Sequence, residues 1–464
     1  MTATLSLINN SLQWCHPYLV ATATEGENYG KALAVSLSLV SLSIYIFSRF
    51  FEEIAARLAL PSVLGNLVAG VVIGVSGLHL VVLDGGEINP SLSHLIEILS
   101  NSTPEQVQAV FDGPVPLIID EYAEFGVGVL LFLIGLESDL TELLKVGFQS
   151  ASVAIVGVIL PFVLGFMGLT YIFHVPTLPA LFAGAALTAT SIGITAKVMQ
   201  DIGVLKSKEG QIILGAAILD DILGIVILAV VISIVDTGEV DVIKAAKLIL
   251  IAATFMISAV VMNRFFASWF VTQLEKLKSP NRGMSYFILF ILLSFIAGII
   301  GLEPILGAFA AGLILGGTEA RERLINGIGV LSVVFSTVFF VSIGAKTDLS
   351  VLNPSVPANQ EGLIIAGFLI VVAIVGKVTA GFFAFSDEKI NNLGIGTGMI
   401  PRGEVGLVFA GLGAATGALP PSIDVAIVLM VIGTTFLAPP LLRLVFDTSQ
   451  SPETLVKSDP DGSV

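Results

Sequence analysis

Gln211-Ile-Ile-Leu-Gly-Ala-Ala-Ile-Leu-Asp220-Asp221-Ile-Leu-Gly-Ile-Val-Ile227 places two neighbouring carboxylates inside an otherwise apolar run. A charge at the centre of a bilayer costs ~3 kcal/mol on insertion scales, and nothing structural in such a helix asks for it. The other reading is a break between two helices with Asp as a cap. The pair itself holds no Gly or Pro, however, and the apolar run continues on both sides. The pattern points to function. A carboxylate in a dry site resists ionisation, so it holds a proton or takes a cation, and hard ions such as sodium prefer oxygen ligands. Proton and cation then compete for one place. A bare carboxylate is too costly to carry across the membrane, so competition yields exchange. Adjacent carboxylates titrate as a pair.

The rest of the chain supports a membrane setting. Of its 464 residues, 55% are hydrophobic and only 12% charged, about half the charged share of a soluble domain; the mean hydropathy is +0.97. Apolar runs of spanning length recur. Thirteen spans are expected, from about 32–50 to about 421–446, with the seventh over about 243–263 and the eighth and ninth over about 283–300 and 303–317. The first thirty residues read as a polar tail without the basic region of a signal peptide. A net charge of -15 argues against nucleic acid as a partner. Cys15 is the single cysteine, which excludes a disulfide framework. His16, His79, His94 and His174 lack metal-ligand spacing.

With thirteen spans and a cytoplasmic C-terminus, fifteen of the 21 Lys and Arg fall on the inner side and four on the outer, the expected positive-inside bias. Lys377 and Arg402 remain inside spans. The N-terminus then lies on the outer or lumenal side. The largest connection, 82–120, is on that outer side; it has no Lys or Arg and carries Asp84, Glu87, Glu97, Glu105, Asp112 and Asp120. It reads as a solvated acidic flap, or as a surface that gathers cations by attraction. Thr103-Pro104-Glu105 marks the start of a short helix within it.

An internal repeat orders the spans. Leu64-Gly65-x3-Ala69-Gly70-x3-Gly74 recurs as Leu306-Gly307-x3-Ala311-Gly312-x3-Gly316, and Ile134-Gly135-x3-Asp139-Leu140 recurs as Ile343-Gly344-x3-Asp348-Leu349. A weaker match sets Thr188-x4-Gly193 against Pro401-x4-Gly406. Spans 1–6 and 8–13 are thus two copies joined by span 7, and an odd linker inverts the second. Inverted repeats are typical of secondary transporters, with the site near the midplane between the copies.

The equivalent spans 5 and 12 are both irregular. One carries Thr188, Thr190, Ser191 and Gly193; the other carries Pro401, Arg402, Gly403 and Glu404. Irregular backbone at membrane depth survives only when buried or facing water, so freed carbonyls and the Thr190 and Ser191 hydroxyls can complete a cation shell around Asp220 and Asp221. Arg402 and Glu404 read as holding the interrupted span together. Lys377 sits about 15 Å along its helix from the span end, too deep to snorkel. It needs a carboxylate partner, with Asp220 and Asp221 as candidates.

Pro61-Ser-Val-Leu-Gly65, Leu130-Leu-Phe-Leu-Ile-Gly-Leu-Glu137, Leu187-Thr-Ala-Thr-Ser191, the aspartate pair, Gly376-Lys377 and Pro401-Arg-Gly-Glu404 resemble the second cation:proton antiporter family, over about residues 32–446. The resemblance implies an all-α membrane fold of two inverted repeats with crossed interrupted helices. It implies a homodimer in which a mobile core slides, elevator-fashion, against a static dimer domain. An N-terminal tail (1–31) would precede the first segment of the dimer domain (32–140) and the first segment of the core domain (141–235). A linker helix (236–282), the second dimer-domain segment (283–349), the second core-domain segment (350–446) and a C-terminal tail (447–464) would follow. The resemblance makes Asp221 the main carrier of sodium and proton, pairs Asp220 with Lys377, and links an Asp-Asp pair to electrogenic exchange. It implies sodium, with lithium as a further candidate, and protons as substrates, no cofactor, and a plasma or thylakoid membrane. The glutathione-gated potassium efflux systems also resemble the chain, but they carry Gln-Asp and a nucleotide-binding domain where this chain has Asp-Asp and a short tail.

Potassium/proton exchange stays the main alternative. A passive channel would line its pore with rings of like groups rather than one acidic pair and a lysine. An intramembrane aspartyl protease needs carboxylates facing each other from different helices, whereas neighbours on one helix diverge by about 100°. An enzyme is therefore not expected.

Overall fold

The computed structural model describes residues 23–447 apart from 84, 85, 87, 238, 240, 277–281 and 354. Cys15, His16, Asp84 and Glu87 lie outside the described residues, as do Lys278 and Lys457, two of the fifteen basic residues assigned to the inner side, and the side chain of Glu404. The described residues are helical and loop only. Helices α1 (Ala23–Arg57) and α2 (Ser62–Ile73) lead into two short ones, α3 (Pro90–Ser100) and α4 (Pro104–Phe111). Then come α5 (Pro114–Glu137), the short α6 (Leu140–Lys145), and α7 (Gly147–Tyr171). A broken pair follows, α8 (Thr177–Ala186) and α9 (Ile192–Asp201), and after it the long α10 (Lys208–Thr237). Helix α11 (Val242–Val261) passes through a π-helical turn, Met262–Phe266, into α12 (Ala267–Lys276). The second half runs α13 (Arg282–Ile299), α14 (Pro304–Gly316), α15 (Arg321–Ala345) and α16 (Pro357–Gly381). A second broken pair, α17 (Asn392–Gly398) and α18 (Glu404–Ala415), precedes α19 (Pro421–Asp447).

Among the described residues, seven helices are long and apolar enough to cross a membrane. Thirteen crossings require the shorter apolar helices, among them α2, α8 and α14, to cross as well. The expected boundaries need three corrections. Helix α1 begins at Ala23, inside the stretch read as a polar tail. The seventh span does not stop near 263, because the helix continues through Arg264 to Lys276; a basic residue ends a hydropathy window without ending hydrogen bonding. The 82–120 connection is more than a solvated flap. Asn89 caps α3, Thr103 caps α4 in a capping box with Gln106, and Leu92, Ile96, Val107, Val110 and Phe111 are buried where both helices pack on α1.

Packing divides the helices into two groups. In one, α5 packs on α14 and α15, α2 on α1 and α15, and α13 on α14. In the other, α16 packs on α7, α17 and α19, while α10 packs on α7 and α18 on α8 and α19. The repeat explains the first group. A Cβ on Gly344 would come within 2.9 Å of Gly70 Cα, and one on Gly312 within 2.9 Å of Gly135 Cα. The two glycine motifs thus meet crosswise, first copy against second, so that backbones touch as small residues allow in membranes. The repeated aspartates share one task too: Asp139 caps α6 and Asp348 caps the 3-10 turn Leu349–Leu352.

Candidate functional site

Helix α10 runs unbroken through Asp220 and Asp221, so neither aspartate caps a helix end. Asp220 is 0% exposed and Asp221 4%. Lys377, on α16 and equally buried, points its Nζ at both oxygens of Asp220, at 3.1 and 3.0 Å. Of the two candidate partners for this lysine, Asp220 forms the ion pair. Room for the lysine comes from Gly157 on α7, where a Cβ would lie 3.4 Å from both Cδ and Nζ. The sequence reading missed Gly157. Its only signal is a small residue facing a charged one across two spans, invisible until the helices are paired.

The two interrupted spans cross beside α10. Residues 187–191 separate α8 from α9, and residues 399–403 separate α17 from α18. The breaks are tied to each other: the Ser191 N–H donates to Pro401 O (2.9 Å), Thr190 Oγ1 to Met399 O (3.0 Å) and Thr195 Oγ1 to Gly398 O (2.8 Å). Broken helices leave carbonyls without intrahelical partners, and these bonds satisfy part of them. Arg402 is 0% exposed and donates from Nη2 to Leu187 O (2.5 Å) and from Nη1 to Met399 O (3.4 Å). It therefore braces the C-terminal ends of α8 and α17 together, where a cation meets the negative end of the helix dipole. Its own carbonyl accepts from Thr435 Oγ1. Arg402 thus holds both interrupted spans through carbonyls.

The hydroxyls differ in what they do. Thr188 Oγ1 donates to Ala185 O at 2.7 Å and closes α8. Thr190 gives its hydrogen to Met399 O but keeps oxygen lone pairs. Ser191 Oγ is buried and has no hydrogen-bond partner among the described residues. Gly403 leaves it space, since a Cβ there would sit 2.9 Å from that oxygen. Gly224 lies three residues beyond Asp221, on the same face of α10, and packs toward Ala189 and Val405 at the two breaks. The aspartate face of α10 thus abuts the crossing.

A protein-family model described as sodium/hydrogen exchanger, transmembrane, matches residues 39–447. The high-affinity Na+/H+ antiporter NhaS3 of Synechocystis is 52% identical over 448 residues, 95% of this chain and 97% of that protein. The Na+/H+-K+ antiporter GerN of Bacillus cereus is 32% identical over 409 residues, 87% of this chain and 94% of its own length. Among solved structures, the sodium proton antiporter MjNhaP1 of Methanocaldococcus jannaschii aligns with TM-score 0.56 and 16% identity, covering 90% of this chain and 97% of that one; the likeness is one of fold. The chain belongs to the sodium/hydrogen exchanger family, whose members are membrane transporters and not enzymes.

Proposed function

We propose that the chain exchanges sodium for protons through Asp221. The observation that carries this reading is the asymmetry of the buried pair: Lys377 engages both oxygens of Asp220, so two chemically identical neighbours have unlike surroundings. The Lys377–Asp220 pair compensates itself while Asp221 is protonated. Asp221 takes either a proton or sodium, and the oxygens of Ser191 and Thr190 contribute to the cation's shell. Charge compensation sets the coupling, because a loaded Asp221 is cheaper to move through a low-dielectric barrier than a bare one. The relatives NhaS3 and GerN are Na+/H+ antiporters, which supports the substrate pair.

Exchange is electrogenic in this reading: Asp221 alone would trade one proton for one sodium with no net charge, so a second proton leaves the Lys377–Asp220 pair when sodium binds and returns when it leaves. The helix group built on α7–α10 and α16–α19 is the moving core; the group built on α1, α2, α5 and α13–α15 is the static group that forms the dimer. The C-terminus faces the cytoplasm, from a plasma or a thylakoid membrane. Potassium is the second candidate substrate, favoured by the likeness to GerN, a Na+/H+-K+ antiporter. Purified protein in proteoliposomes holding a pH gradient tests the assignment. Added sodium should collapse the gradient, faster when the membrane potential is clamped by a potassium ionophore. Collapse by potassium alone would replace the substrate, and collapse indifferent to potential would remove the electrogenic claim.

A further inference from the structure

Three hydrogen bonds join two residues in the last turn of α9 to the other helix group. Asp201 Oδ2 accepts from the backbone N–H of Ser62 at 3.1 Å and from its Oγ at 2.6 Å. Gln200 Nε2 donates to Glu137 Oε1 at 3.3 Å. Ser62 is the first residue of α2, and that helix has no side-chain cap of its own, because Pro61 stands at the capping position. A helix start carries unpaired N–H groups and favours negative charge. Asp201 supplies the missing cap from the opposite group as a charge-assisted bond.

Both sides of this contact are held in place. Lys197 Nζ lies 2.9 Å from the second oxygen of Asp201. On the far side, Arg321 Nε and Nη2 donate to Leu136 O and Glu137 O at 2.8 and 3.0 Å, fixing the end of α5. The other end of α9 begins beside Ser191 and is bonded to the crossing through Thr195. Between them, Gly193 faces the first group so closely that a Cβ would come 3.0 Å from Val127 Cγ2 and 3.2 Å from Phe339 Cε1. One short rigid helix thus joins the candidate ion site to the boundary between the groups.

We infer that Asp201 is a positioning residue for exchange: its bond to Ser62 is a releasable latch that holds α9, and Ser191 with it, in one of two positions. The inference rests on the proposed movement of one group past the other. Hydrogen bonds fail beyond about 3.5 Å, so a sliding step of even about 1 Å along the boundary opens the latch, and each turnover must open and reclose it. Asp201 touches neither ion. It acts by setting how the two positions are populated.

The test uses the full chain with Cys15→Ser, since Cys15 is the single native cysteine, plus Ser62→Cys and Asp201→Cys. Sodium-driven gradient collapse in proteoliposomes is measured before oxidation, after oxidation with copper phenanthroline, and after reduction. Exchange should stop on oxidation and return on reduction. A second pair, Ser48→Cys with Asn66→Cys, bridges α1 and α2 within one group, where Ser48 Oγ donates to Asn66 Oδ1 at 2.5 Å, and should exchange in both redox states. In parallel, Asp201→Asn and Ser62→Ala should each shift the sodium KM up to about tenfold, equivalent to about 1.4 kcal/mol, with the double variant no worse than the larger single. Full exchange by the cross-linked protein, or additive or absent KM shifts, overturns the latch while wild-type exchange leaves the proposed function intact. Failure of wild type to exchange at all removes the function itself.

Discussion

Removing the ammonium of Lys377 should be among the most destabilising single changes in the core, and removing its partner as well should restore much of the loss. Both side chains are 0% exposed, and the lysine nitrogen is within 3.1 Å of both carboxylate oxygens. Lys377→Met leaves Asp220 without its ion-pair partner; Asp220→Asn leaves a buried ammonium. Breaking a buried pair from one side costs about 3–5 kcal/mol, whereas replacing both partners is often close to neutral. Asp220 can lessen its loss by taking a proton, so about 3 kcal/mol is expected for Lys377→Met. The double variant Asp220→Asn/Lys377→Met should lose at least about 2 kcal/mol less than the sum of the singles, near the upper range of coupling for residues in contact. Unfolding of purified protein in detergent, run as a double-mutant cycle, reads this directly. Additive losses, or singles that each cost under about 0.5 kcal/mol, would show that the pair does not act as a unit.

Three further outcomes follow from the same geometry. Gly157→Val should crowd Lys377, whose Cδ and Nζ lie 3.4 Å from an added Cβ, with a loss of about 1–3 kcal/mol by detergent unfolding and slower exchange; Gly157→Ala should be milder. Arg402→Ala should lower stability by about 2–4 kcal/mol, because Leu187 O and Met399 O each lose a charged donor, and Arg402→Lys should recover only some of it, since it lacks the planar fork. Glu388 is exposed and lies 2.8 Å from Lys208, whose hydrogen bond and charge hold its carboxyl below the usual 4.5. Its small contribution is full above that value and fades as pH falls through the lowered one; melting of Glu388→Gln against wild type should differ by a constant amount between about pH 6 and 9 and converge only once the pH is below the lowered value.

What the sequence displayed and what it hid have physical causes. Asp220, Asp221 and Lys377 stood out because charge is scarce inside apolar runs, and burial depth alone required a partner for the lysine. The glycine motifs were legible as repeats because backbone contact excludes every larger side chain at Gly70, Gly135, Gly312 and Gly344. Breaks at 187–191 and 399–403 showed through Thr, Ser, Pro and Gly. Helix α4 is announced by Thr103-Pro104-Glu105 at its start, whereas α3 is hidden in the acidic connection although Leu92 and Ile96 carry helical spacing; counting charge obscures its apolar face. The extension of α11 past Arg264 had no hydropathy signal, since a helix leaving the membrane changes its solvent but not its hydrogen bonds. Asp201 and Ser62 are 139 residues apart and polar, and nothing local marks either as a partner of the other.

The most direct measurement compares wild type with Asp221→Asn in proteoliposomes holding a pH gradient, with sodium added and then potassium. Asn keeps the shape of the side chain and removes the charge that proton and sodium compete for. Sodium should collapse the gradient in wild type and leave it standing in the variant, with both proteins folded and inserted. If Asp221→Asn exchanges sodium for protons as fast as wild type, this carboxylate is not the carrier, and the coupling by competition at α10 is wrong.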